Sequence, residues 1–91
     1  MQRFQRNQQV EAAPLNEEAI LFDPSSTKFY MLNRTSSFIW DRLSTPSTQE
    51  SLAASLCESF KGVEPQAALK DVQAALEEMA SMGLIVAAEE A

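Results

Sequence analysis

The hydrophobic pattern of this chain changes period once, at Asn33, and that change constrains the fold more than any other feature. Before it, apolar residues come in short runs: Val10–Leu15 (VEAAPL), Ala19-Ile20-Leu21-Phe22 and Lys28-Phe29-Tyr30-Met31-Leu32. Short apolar runs bounded by turn-forming residues read as strands. Pro14 confines the first to a sheet edge or a strand end, because proline has no N–H to give to a ladder. Asn16-Glu17 makes a short turn and Asp23-Pro24-Ser25-Ser26 a stronger one. After Asn33 the apolar residues recur at spacings of three and four. Ile39, Trp40 and Leu43, on one face with Ser36, form one set, Leu52, Leu56 and Phe60 a second, and Leu69, Val72, Leu76 and Met79 a third. Each set falls on one face of a helix.

The residues between these segments agree with that division. Asn33 and Thr48 are N-cap residues, and Ser44-Thr45-Pro46-Ser47 breaks the first helix from the second. Lys61-Gly62 ends the second helix. Pro65 suits the first position of the third, and Gly83 suits its left-handed end. Leu84-Ile85-Val86 then reads as a short terminal strand. A strand-rich half followed by three amphipathic helices must cover each other's apolar faces. The expected class is α+β: an N-terminal three-stranded antiparallel sheet packed on three C-terminal helices. Trp40, Leu52, Leu56, Val72, Leu76 and Met79 should lie in the core. The polar run MQRFQRNQQ (residues 1–9) reads as a flexible tail, residues 10–87 as a single domain and residues 88–91 as an acidic tail.

Size and charge narrow the function. Ninety-one residues hold one hydrophobic core, and 45% hydrophobic with 22% charged residues is ordinary for a folded domain. No apolar run approaches the ~20 residues that cross a bilayer, and the polar start is no signal peptide, so a cytoplasmic domain is expected. The net charge of −6 is unevenly spread: residues 1–40 carry four basic and four acidic side chains, residues 41–91 three basic and nine acidic. Nucleic-acid affinity rests largely on neutralising phosphates, and an acidic C-terminal half opposes it.

Catalytic chemistry has little to draw on. With no histidine, the usual base near neutral pH is absent, and the one cysteine allows neither an internal disulfide nor a Cys/His zinc site. Cys57, beside Leu56 on the second helix, suits a small buried hydrophobe. Glu77-Glu78 and Glu89-Glu90 are neighbours in sequence, which does not make them converge across a cleft. Both glycines fit helix ends, leaving no phosphate loop. The expectation is a non-enzyme without metal or cofactor. The strand Lys28–Leu32 has two readings: core on both faces, or an open edge whose backbone accepts an extended peptide as a further strand. Phe38, off the Ile39/Leu43 stripe, is either a lateral core residue or an exposed contact.

The ordered set Glu18-Ala19-Ile20-Leu21-Phe22-Asp23-Pro24, Lys28-Phe29-Tyr30-Met31-Leu32-Asn33-Arg34-Thr35 and Ile39-Trp40 resembles the PqqD-like proteins. The likeness continues through Thr48, Leu52, Phe60, Val63, Pro65, Asp71-Val72, Leu76 and Gly83-Leu84-Ile85, covering about residues 10–87. Thr27 and Ser36 stand where the family often has glycine, and Ala75 where a larger apolar residue is common. The resemblance implies a winged-helix-like, non-catalytic recognition element for ribosomally made, post-translationally modified peptides. Such modules bind the leader of a precursor peptide and present it to a modifying enzyme, often a radical S-adenosylmethionine protein. The leader adds as a strand beside the third β-strand and packs against the third helix. Carried over here, Lys28, Phe29, Tyr30, Met31 and Leu32 pair with the peptide, and Ala68, Asp71, Val72, Ala75 and Glu78 form the helical side of the groove.

Two other functions compete. A winged-helix DNA-binding regulator needs a basic recognition helix, yet the third helix sets Lys70 against Asp71, Glu77 and Glu78. An adaptor subunit would bind a folded protein partner and no leader. An open edge strand and a mobile N-terminal segment also predict a weak or domain-swapped homodimer.

Overall fold

The computed structural model describes residues 3–15 and 18–88. Its elements in chain order are β1 (Arg3–Arg6), β2 (Glu11–Leu15), β3 (Glu18–Asp23), β4 (Lys28–Leu32), α1 (Arg34–Arg42), β5 (Ser47–Thr48), α2 (Gln49–Ser59), α3 (Pro65–Ser81) and β6 (Ile85–Ala88). β2, β3 and β4 form the expected antiparallel meander, in that order across the sheet. Because side chains alternate along a strand, register decides what is buried. Ala19 opposes Leu32 and Leu21 opposes Tyr30, and these four turn toward the helices. Ile20 opposes Met31 and Phe22 opposes Phe29 on the other face.

The β3–β4 turn is held by Asp23. Its carboxylate accepts from the Ser25 backbone N–H at 3.0 Å, the Ser25 hydroxyl at 2.8 Å and the Ser26 hydroxyl at 3.1 Å. The Ser25 side-chain bond leads in holding the Asp23 carboxyl below its ordinary pKa, since these bonds favour the ionised form. Thr27 closes the turn at φ 56°, a left-handed conformation that is strained for a β-branched residue. Thr27→Gly should therefore raise stability by roughly 0.5–1 kcal/mol, after allowing for the freer unfolded glycine. Urea titration of both proteins checks this, and an unchanged or lower midpoint would refute it.

The helix boundaries fall where the sequence predicts. The Asn33 side chain accepts from the Ser36 N–H at 2.8 Å, and the Thr48 hydroxyl accepts from the Ser51 N–H at 3.1 Å. Pro65 occupies the first turn of α3, and Gly83 follows that helix with φ 75°. Trp40, Leu52, Leu56, Val72, Leu76 and Met79 are all buried, in one cluster with Leu21, Ile39, Leu43 and Leu84. Phe38 is half-buried, edge-on to Phe60 with ring centroids 5.4 Å apart, and Cys57 packs half-buried against the same core.

The N-terminal segment corrects the reading of residues 1–9 as a flexible tail. β1 is the central strand of a second sheet ordered β5-β1-β6, antiparallel to both neighbours. Arg3 pairs with Ala88 and Arg6 with Ile85, so the folded unit extends beyond 10–87 at both ends. Two polar side chains of β1 and the following turn, Arg6 and Asn7, are tied to distant backbone. Arg6 stacks 4.9 Å from the Trp40 ring centroid and donates from Nε to the Trp40 carbonyl at 2.9 Å. Asn7 donates from Nδ2 to the Gly83 carbonyl at 2.9 Å. The predicted turn at Asn16-Glu17 and the Glu89-Glu90 pair lie outside the described residues.

Candidate functional site

β4 is an edge. Among the described residues it pairs only with β3, so one side of its backbone is open to another strand. Beside that edge runs a groove of about 350 Å³ between β4 and the end of α3. Phe29, Tyr30, Met31 and Leu32 line its strand side. Asn33 and Ser36 line it from the start of α1, and Glu78, Met79 and Met82 from α3. Leu32 and Met79 are buried at its base, Tyr30 and Met82 are half-buried, and Phe29 and Met31 are exposed at its rim.

Local structure explains this placement. The Asn33 cap starts α1 directly after β4, with the Ser37 hydroxyl donating to the Leu32 carbonyl at 3.3 Å. The first turn of α1 therefore closes one end of the groove. The Gly83 turn, where the Leu84 N–H donates to the Met79 carbonyl at 2.9 Å, fixes the last turn of α3 alongside β4. Met79 and Met82 line the site from α3, and Met31, whose side chain alternates to the outer face of the sheet, borders it at the open edge. Their unbranched thioether chains adapt to differently shaped apolar partners. Glu78 is the charged residue among the lining side chains.

The structure brings together only part of the predicted site. Phe29, Tyr30, Met31, Leu32 and Glu78 meet at the groove. Lys28 begins the same edge strand, exposed and outside the groove lining. The rest of the predicted α3 face needs correction. Ala68 and Val72 have no exposed surface and Ala75 is 8% exposed, so all three belong to the core. Asp71 is exposed on α3 but does not line the groove. Asn33, Ser36, Met79 and Met82 also line the groove and lie outside the predicted set. Met82 had a detectable signal: it is a large apolar residue just before the Gly83 helix end and off the Val72/Leu76/Met79 stripe.

The α+β domain thus sets an open edge strand, β4, beside a groove lined by residues of β4, α1 and α3. The chain belongs to the family described as Coenzyme PQQ synthesis protein D (PqqD), which matches residues 18–85. No curated protein matches it. Two solved structures share its fold. TbiB1 in complex with the TbiA(beta) leader peptide superposes with a TM-score of 0.83 at 19% identity, over 94% of this chain and 99% of that one. Lasso peptide synthetase B1 complexed with the leader peptide gives 0.77 at 22% identity, over 91% and 96%. Among the described residues, no group of three or more His, Cys, Asp or Glu could hold a metal ion. No described helix is long and apolar enough to cross a membrane.

Proposed function

We propose that this protein is a non-catalytic recognition element that binds the leader of a ribosomally made precursor peptide and presents it to a modifying enzyme, such as a radical S-adenosylmethionine maturase. The observation that carries this reading is the open β4 edge set against the groove of Phe29, Tyr30, Met31, Met79 and Met82. Backbone pairing along β4 supplies affinity, and alternate peptide side chains entering the groove supply specificity. Leu32 and Met79 at the base of the groove take an apolar peptide side chain, and Glu78 places a basic one within reach. The PqqD membership and the two leader-bound structures of the same fold support the reading. A DNA-binding role lacks a basic recognition helix, because α3 exposes Asp71, Glu77 and Glu78 against Lys70.

Once a short precursor is found by reading the genes beside this one, calorimetry against its leader should give one-to-one binding. Hydrogen exchange should show new protection at the amides of residues 28–32 that face away from β3. A leader that binds without protecting this strand would place the site elsewhere.

A further inference from the structure

The proposed function leaves the outer face of the β2–β3–β4 sheet unused. An antiparallel sheet packed on one side normally turns polar residues to water on the other. Here β4 exposes Phe29 at 70% and Met31 at 69%. Beside them on β3 lie Phe22, with its ring centroid 4.7 Å from that of Phe29, and Ile20, opposite Met31. Ile20 and Phe22 are half-buried by this outer face and stand apart from the core cluster. Ala13 on β2 extends the patch through its pairing with Ile20.

The border of the patch is acidic. Glu11 lies opposite Phe22 and Glu18 lies two residues from Ile20, both exposed and both on this face by strand alternation. The basic residue of β4, Lys28, alternates to the other face with Tyr30 and Leu32. A second copy of this chain would bring the same carboxylates to the rim, on a chain whose net charge is already −6. The face therefore suits a partner with an apolar centre and a basic surround. It is also continuous with the groove, because Phe29 and Met31 belong to both. A strand added at β4 carries the sheet further, and its outward side chains extend the same surface.

We propose that this outer face is the docking surface for the modifying enzyme, which meets it with an apolar patch ringed by basic residues, and that a leader paired to β4 enlarges it. The proposal rests on β4 as the peptide-receiving edge. Its thermodynamic consequence is linkage: the enzyme binds the loaded protein more tightly than the empty one, and tightens leader binding by the same factor.

The test uses the full chain, a synthetic leader and a purified modifying enzyme, both identified by reading the genes beside this one. One variant, Ile20→Ser with Phe22→Ser, changes the face on β3, away from the open edge. A second, Glu11→Lys with Glu18→Lys, reverses the rim at exposed positions and decides the matter should the first fail to fold. Enzyme affinity should fall by about tenfold or more in the first and severalfold in the second, with leader affinity within about threefold of wild type. Saturating leader should raise the enzyme affinity of the wild type. Wild-type enzyme affinity in the folded variants, or no enzyme binding by the wild-type protein, overturns the docking surface. So does a sedimenting dimer that Ile20→Ser with Phe22→Ser dissociates while enzyme binding is unchanged. Enzyme binding that is indifferent to leader overturns the enlarged surface. A wild-type protein that docks the enzyme through this face but binds no leader would sink the peptide-binding reading and keep the docking face.

Discussion

Ser36→Trp should leave the protein folded and weaken leader binding by about 100-fold or more, a loss of roughly 2.7 kcal/mol. Ser36 stands in the first turn of α1, where its backbone N–H, not its hydroxyl, completes the Asn33 cap. Its side chain is half-buried and lines the groove opposite Met79 and Met82. An indole there occupies the space a peptide side chain needs, while the cap and the core beneath stay as they are. Two controls separate the groove from the rest of α3. Asp71→Ala, exposed and outside the lining, should bind leader like wild type. Ala75→Trp should fail differently, by overfilling a core position at a cost of 1–3 kcal/mol or more. Calorimetry with circular dichroism on each variant checks the set, and a folded Ser36→Trp protein with wild-type affinity would move the site off this groove.

Trp40→Ala should destabilise the fold by about 3–5 kcal/mol, a large share of what a domain of this size possesses. Trp40 is 2% exposed and packs in the central cluster. Its ring also carries the Arg6 guanidinium, so its loss loosens β1 as well as α1. Trp40→Phe should cost far less, within about 1.5 kcal/mol. It keeps most of the ring and removes an indole Nε1 that is buried with no hydrogen-bond partner among the described residues, and an unpaired buried donor is itself unfavourable. Urea unfolding of both variants measures the difference. Equal losses would show that the indole nitrogen is satisfied and that ring size alone does not set the effect.

The contrast between what was legible in the sequence and what was not follows the range of the interactions. Asn33, Thr48, Pro65 and Gly83 act on backbone groups a few residues away, so helix starts and ends could be read directly. The β3–β4 hairpin was legible for the same reason, its turn being made by Asp23 with Ser25 and Ser26. β1 was not, because RFQR is polar and its pairing is with Ser47, Thr48 and residues 85–88. Arg6 acts on Trp40 and Asn7 on Gly83, 34 and 76 residues along the chain. Nothing local announces such partners. The groove was half legible. Lys28–Leu32 could be recognised as a candidate edge, but which α3 residues face it depends on where the helix crosses the sheet. Periodicity shows that Ala68, Val72 and Ala75 share a helical face; it does not show that β4 meets the helix only near Glu78, Met79 and Met82.

The position of β1 bears on how the domain can come apart. Among the described residues, β5 and β6 have β1 as their only strand partner, so β1 clasps two segments far along the chain. Pairing Arg3 with Ala88 closes a loop of nearly the whole chain, which costs about 4 kcal/mol in ring-closure entropy by the logarithmic scaling of long flexible loops. Local hairpins and helix turns carry much smaller closures. The second sheet is thus the last to gain from folding and the first that a loosened core releases. Trimming β1 is equivalent to cutting loose the opposite end, and the fraying it starts would reach the Gly83 turn that holds Met79 and Met82 beside the open edge.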